Sequence, residues 1–169
     1  MRLNRSGLAA LSQAIIKELA DSSSIELSNA REAAADLESV LSNYLNLEQA
    51  ASDEARTLVQ SRGVPESEYG RVKRLSADKL GIKVGDDGLD FVLDQLVEML
   101  MHSGHVEEVF AADHDLRRLM RRHLMEAAEL ESQAEADVRG KLKHVQEGSR
   151  LWEIEYRRMK EDIKRRRGS

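Results

Sequence analysis

The chain contains no cysteine, which excludes disulfides, thiolate metal sites and cysteine nucleophiles. Its single proline is Pro65, so long stretches lack the residue that breaks helices most strongly. Aromatic residues make up only 4%, and a core must therefore come from Leu, Ile, Val, Met and Ala. No apolar run approaches the ~18 residues of a membrane span. The start, Met1-Arg2-Leu3-Asn4-Arg5-Ser6-Gly7, carries no signal-peptide apolar region. These absences set the expectation of a cytoplasmic protein with no membrane segment.

The 169 residues are 41% hydrophobic and 34% charged, enough apolar material for a real core. With 31 acidic and 26 basic residues the net charge is −5, a balance that predicts no general affinity for nucleic acid.

Leu8, Leu11, Ile15 and Leu19 recur at helical spacing. Asp21-Ser22-Ser23-Ser24 interrupts that stripe, and Ser28 or Asn29 is placed to cap the next helix. Leu37, Val40, Leu41, Tyr44 and Leu47 follow on one face, and Ser52 reads as a further cap. Gly63-Val64-Pro65 ends one helix and starts another through Tyr69, Val72 and Leu75. Residues 81–88, with three glycines and two aspartates, form a hinge. Helices are then predicted over residues 89–102, from about Asp113, over 129–146, and from Ser149 into the basic tail. Val and Ile nowhere alternate over a strand-length run. The fold class is all-α.

The second half repeats the first. Leu8 aligns with Leu89, Leu19 with Leu100, Arg56 with Arg139, Tyr69 with Tyr156 and Gly81 with Gly168. So long a period implies a duplicated small domain. Two modules of about four helices each are expected, 1–84 and 85–169. Leu8, Leu11, Ile15, Leu37, Leu41 and Tyr44 would build one core, and Leu93, Leu96, Leu100, Leu116, Leu119 and Leu124 the other.

The most distinctive stretch is Glu147-Gly148-Ser149-Arg150, followed by Trp152, Ile154 and Tyr156, with Glu161 and Gly168 further on. On these residues, and on the Met1-Arg2-Leu3 opening, the chain resembles an uncharacterised bacterial family, domain of unknown function number five-hundred-and-seven. The likeness covers nearly all of residues 89–168 and, more loosely, 1–81, as though two copies were fused. The first half keeps Gly63, Val64, Pro65, Glu66, Ser67, Tyr69 and Gly81 but has no counterpart of Trp152. The resemblance implies a small helical cytoplasmic protein and carries no activity.

Trp152 and Tyr156 lie four residues apart, hence on one helix face. They fit two readings: a helix start docked on the core, or, with Arg150, a hot spot for a protein partner. Arg117, Arg118, Arg121 and Arg122 gather on one helix face, and the tail adds Arg165, Arg166 and Arg167. Guanidiniums so grouped suit phosphate oxygens, although neighbouring Asp113, Asp115, Glu126 and Glu129 offer intramolecular partners instead. His102, His105, His114, His123 and His144 fall into neither a Glu-x-x-His nor a His-Glu-x-x-His pattern, and no metal or cofactor is expected. No nucleophile elbow, phosphate loop or dinucleotide fingerprint is present, so no enzyme is expected. The leading expectation is a non-catalytic module that binds an unidentified protein partner, with self-association also open. RNA or ribosome binding through the arginines is the alternative.

Overall fold

The computed structural model describes residues 1–146 and 148–167, with the backbone alone at Arg167. Among these are six α-helices and one two-stranded antiparallel sheet. The fold is all-α in class, as expected, with that small sheet as an addition.

A 3-10 turn at Arg5–Gly7, capped by the Asn4 side chain, leads into α1, Leu8–Asp21. Leu8, Ser12, Ile15, Ile16 and Leu19 form its buried stripe. Ser23 closes the helix at φ 57°, with its N–H on the Ala20 carbonyl and that of Ser24 on Leu19. This is the glycine-type stop carried by a serine, and it aims the chain into β1, Ile25–Leu27.

Asn29 caps α2, Ala30–Arg62, accepting from the Glu32 N–H at 3.1 Å. Gly63, left-handed at φ 62°, ends it. After Pro65 and a 3-10 turn, α3, Tyr69–Lys79, packs back on α2. Helix α4, Gly88–His102, is followed by β2, Val106–Val109, then α5, Asp113–Lys141, and α6, Arg150–Arg167.

Two helix breaks expected from the sequence do not occur. At Ser52 the hydroxyl donates to the Glu48 carbonyl at 3.1 Å, so it is satisfied inside α2 and caps nothing. Nor does a new helix begin near Glu129, because α5 runs on through it. Each half therefore holds three helices among the described residues, not four. Apart from the additional 3-10 turn before α3, the order of 3-10 turn, helix, strand, long helix and shorter helix occurs twice among the described residues.

The sheet pairs Ile25 with Val109, Glu26 with Glu108 and Leu27 with Val106, with an irregularity between Glu26 and Leu27. Each strand is too short for alternation to show in sequence, yet Ile25 and Val106 are buried.

The packing divides into two compact units, one of residues 3–125 with Met1, the other from Glu126 onward with Arg2. In the first unit one core joins α1, α2, α4 and the start of α5. Ile15, Leu37, Leu41, Leu93, Leu96, Leu116, Met120 and Leu124 are fully buried there. The leucines expected to build two cores thus build one, with Leu11 and Leu119 at its margin. In the second unit the later turns of α5 bury Ala134 and Val138, followed by Leu142.

Candidate functional site

In α6, Ser149 caps the helix by accepting the Trp152 N–H at 3.2 Å, after Gly148 has turned the chain at φ 82°. Four residues on, the Tyr156 ring stacks on Trp152 with centroids 4.8 Å apart and planes 20° apart. Both aromatics are half-buried. One turn further, Lys160 lies 5.7 Å from the Tyr156 centroid and reaches Glu131 at 2.5 Å and Glu135 at 3.2 Å. Burial alone would lower the Lys160 ammonium, but its hydrogen bonds to Glu131 and Glu135 hold it above the ordinary lysine value. Glu135 is likewise opposed by burial, yet Lys160 and Arg2 bring it below the usual carboxylate range. Lys164, 3.8 Å from Glu131, is lowered by burial. The Trp152–Tyr156–Lys160 face is therefore the one that meets the α5 carboxylates.

Arg150 does not share that face. Two residues from Trp152 is about 200° of helix rotation, and Arg150 stands exposed beside Leu151 and Ile154, which are 59% and 55% exposed. The expected trio of Arg150, Trp152 and Tyr156 is split between two sides of α6. Glu147 and Gly168 of the distinctive stretch lie outside the described residues, as does the side chain of Arg167.

The four clustered arginines at the start of α5 each meet a carboxylate. Arg117 bonds Asp94 at 2.5 Å and Asp113 at 2.6 Å, and those hydrogen bonds, Asp113 first, raise it above the ordinary value. Arg118 pairs with Asp115, Arg121 with Asp90 of α4, and Arg122 with Glu18 of α1. Arg165 and Arg166 are exposed near the end of α6.

Four histidines also sit against carboxylates. His102 is 3.2 Å from Glu98, His114 3.4 Å from Asp115, His123 2.6 Å from Glu18 and His105 3.0 Å from Asp36. His144 is exposed. Ser103 completes a Ser–Asp–His group around Asp36, but its hydroxyl donates to Asp36 at 2.6 Å and not to the imidazole. A nucleophilic relay needs the histidine between serine and aspartate; here the carboxylate is central, and the group fastens α2 to the turn before β2.

A cleft between the end of α2 and α3 was not foreseen from the sequence. It has a volume of about 580 Å³ and is lined by Leu58, Arg62, Val64, Val72, Leu75, Ser76, Asp78 and Lys79. Leu75 is 51% exposed. Its only linear signal is an apolar residue, Leu75, on a short charged helix.

Among the described residues, no helix is long and apolar enough to cross a membrane. A search of curated proteins finds no match. The model of one family, protein of unknown function (DUF507), matches residues 1–169, and the chain belongs to that family.

Proposed function

We propose that the chain is a non-catalytic, cytoplasmic interaction protein that docks a protein partner on the outer face of α6. The observation that carries this reading is the exposed pair Leu151 and Ile154, one turn apart beside Arg150. Apolar side chains grouped in solvent next to an arginine have the composition of a contact surface. Trp152 and Tyr156 then serve as its support, fixing α6 through their stack and through Lys160. The repeated element order and the antiparallel pairing of the two short strands support the further reading that the chain arose by duplication.

Binding of RNA or ribosomes is the weaker alternative. Its strongest cluster, Arg117, Arg118, Arg121 and Arg122, already faces carboxylates. On α6 the reading rests on Arg150, Arg157, Arg165 and Arg166, all exposed, with Arg158 at 2.7 Å from Glu155.

The test is affinity capture of the tagged chain from its native lysate at low and high salt, with and without nuclease. Wild type is expected to retain a partner protein at high salt. The Leu151→Asp/Ile154→Asp variant should lose it while keeping the same melting temperature. Recovery of RNA or ribosomal proteins that disappears at high salt would favour the alternative, because phosphate contacts weaken steeply with salt. Self-association is read separately by sedimentation of both forms.

A further inference from the structure

The α2–α3 cleft belongs to the first unit and makes a different chemical demand from the α6 face. Its floor is apolar: Val72 is buried, Leu58 and Val64 are half-buried, and Leu75 stands half in solvent. Leu80, 38% exposed, follows at the end of α3. The rim is cationic. Arg62 and Lys79 line the cleft. Asp78, its one carboxylate, is taken up by Lys83 at 2.7 Å. Lys79 is 3.6 Å from Glu54 and remains 69% exposed. On the outer side of α3, Arg71 and Arg74 are exposed next to Leu75, with Arg71 bonded to Glu68 at 2.6 Å. Around the cleft Arg56, Arg71 and Lys73 are met by Asp53, Glu68 and Glu48, so the positive charge that faces a ligand is that of the two lining side chains, Arg62 and the loosely held Lys79.

We infer that this cleft binds an amphipathic, acidic α-helix of a partner protein. The inference extends the interaction reading to a second surface. The cleft runs between two packed helices and offers no free strand edge, so an extended peptide would find no main-chain pairing there. A third helix can lay one apolar ridge into it, with leucine-sized anchors at i, i+3 or i+4, and i+7. Flanking Asp and Glu on that helix would meet Arg62 and Lys79 and set orientation and encounter rate. A lipid surface would also answer to basic and apolar groups, but a bilayer is flat on this scale and leaves the concave floor at Val72 unfilled. The cleft thus favours a helix over a membrane.

The test is selection of a phage-displayed helical peptide library on the full-length chain, followed by fluorescence anisotropy with the enriched peptides. Enriched sequences should carry apolar residues at the stated spacing and a net negative charge. Leu75→Glu should weaken them at least tenfold. Arg62→Glu/Lys79→Glu should reverse the preference, so that a lysine-flanked twin of the best peptide becomes the tighter ligand. Because Leu75, Arg62 and Lys79 all reach solvent, unfolding curves should show these variants folded as wild type. Absence of enrichment, enrichment of basic helices, or peptides that bind Leu75→Glu unchanged would each overturn the inference. So would cosedimentation with phosphatidylserine vesicles that Leu75→Glu abolishes while no helix is enriched. Leu151→Asp/Ile154→Asp should leave peptide binding unchanged, so failure at the cleft and failure at α6 are read separately.

Discussion

The Tyr44 hydroxyl occupies the space that a side chain at Gly88 would need: a Cβ there would lie 2.6 Å from that oxygen. The same hydroxyl donates to the Lys83 carbonyl at 3.0 Å, tying the middle of α2 to the turn before α4. Gly88→Ala must push the phenol aside and so disturbs its bond to the Lys83 carbonyl, which itself lies at ordinary contact distance, 3.5 Å, from the new Cβ. Losing that hydrogen bond costs about 1–3 kcal/mol, offset in part by the ~1 kcal/mol that alanine gains over glycine in a helix. A net loss is expected in urea unfolding. In Tyr44→Phe the obstacle is gone, so the second substitution should cost less there, with a coupling above ~0.5 kcal/mol in the double-mutant cycle.

Burial also pushes the Tyr44 phenol up to about 12, with the Glu48 carboxylate adding to the effect. The unfolded chain releases this proton near pH 10, before the folded chain does. The stabilisation is therefore complete below pH 10 and is lost as pH rises towards 12. Urea midpoints measured from pH 9 upward should fall more steeply for wild type than for Tyr44→Phe. Parallel curves for the two proteins would refute the assignment.

Much of the helical plan was legible because it rests on local chemistry. Leu8, Ile15 and Leu19 mark a stripe by spacing alone, Asn29 and Ser149 are capping side chains, and Gly63 supplies a left-handed stop that other residues rarely take. The errors share a cause. Ser52 has the chemistry of a cap, and only the backbone around it decides that its hydroxyl turns back to Glu48. Ile25–Leu27 and Val106–Val109 are strands because they meet each other, a pairing across some eighty residues that no local pattern announces. The site divides in the same way. That Trp152 and Tyr156 touch follows from their spacing, whereas the carboxylates facing Arg121 and Arg122 come from α4 and α1. The α2–α3 cleft exists only once two helices pack.

The Asp36 fastening predicts acid sensitivity. The Ser103 hydroxyl, and after it His105, hold the Asp36 carboxyl below its ordinary 3.8, against a smaller opposing effect of burial. A carboxylate depressed in the folded chain stabilises above its unfolded pKa, and that contribution is lost as pH falls through the folded value. Asp36→Asn should thus unfold at lower urea than wild type at pH 7, and the gap should close below pH 4. Glu18, lowered chiefly by the hydrogen bond to His123, should behave alike in Glu18→Gln. A gap that persists unchanged at pH 2.5 would show that the loss comes from packing and not from the ionised carboxylate.

Trp152 separates support from contact on α6. Complete burial of such a ring would make its truncation cost ~3–5 kcal/mol; half-buried and stacked on Tyr156, it should cost about 2 kcal/mol. The loss should be local. Removing the ring takes away the stack that orients Tyr156, and Tyr156 lies beneath the Lys160 that bridges to Glu131 and Glu135. Amide exchange should therefore speed up in Trp152→Ala along α6 and the later turns of α5, where those partners sit. Leu151→Asp/Ile154→Asp should instead leave exchange as in wild type and remove only the partner. Unchanged exchange in Trp152→Ala together with lost capture would make the indole itself the contact and assign Leu151 and Ile154 a secondary place.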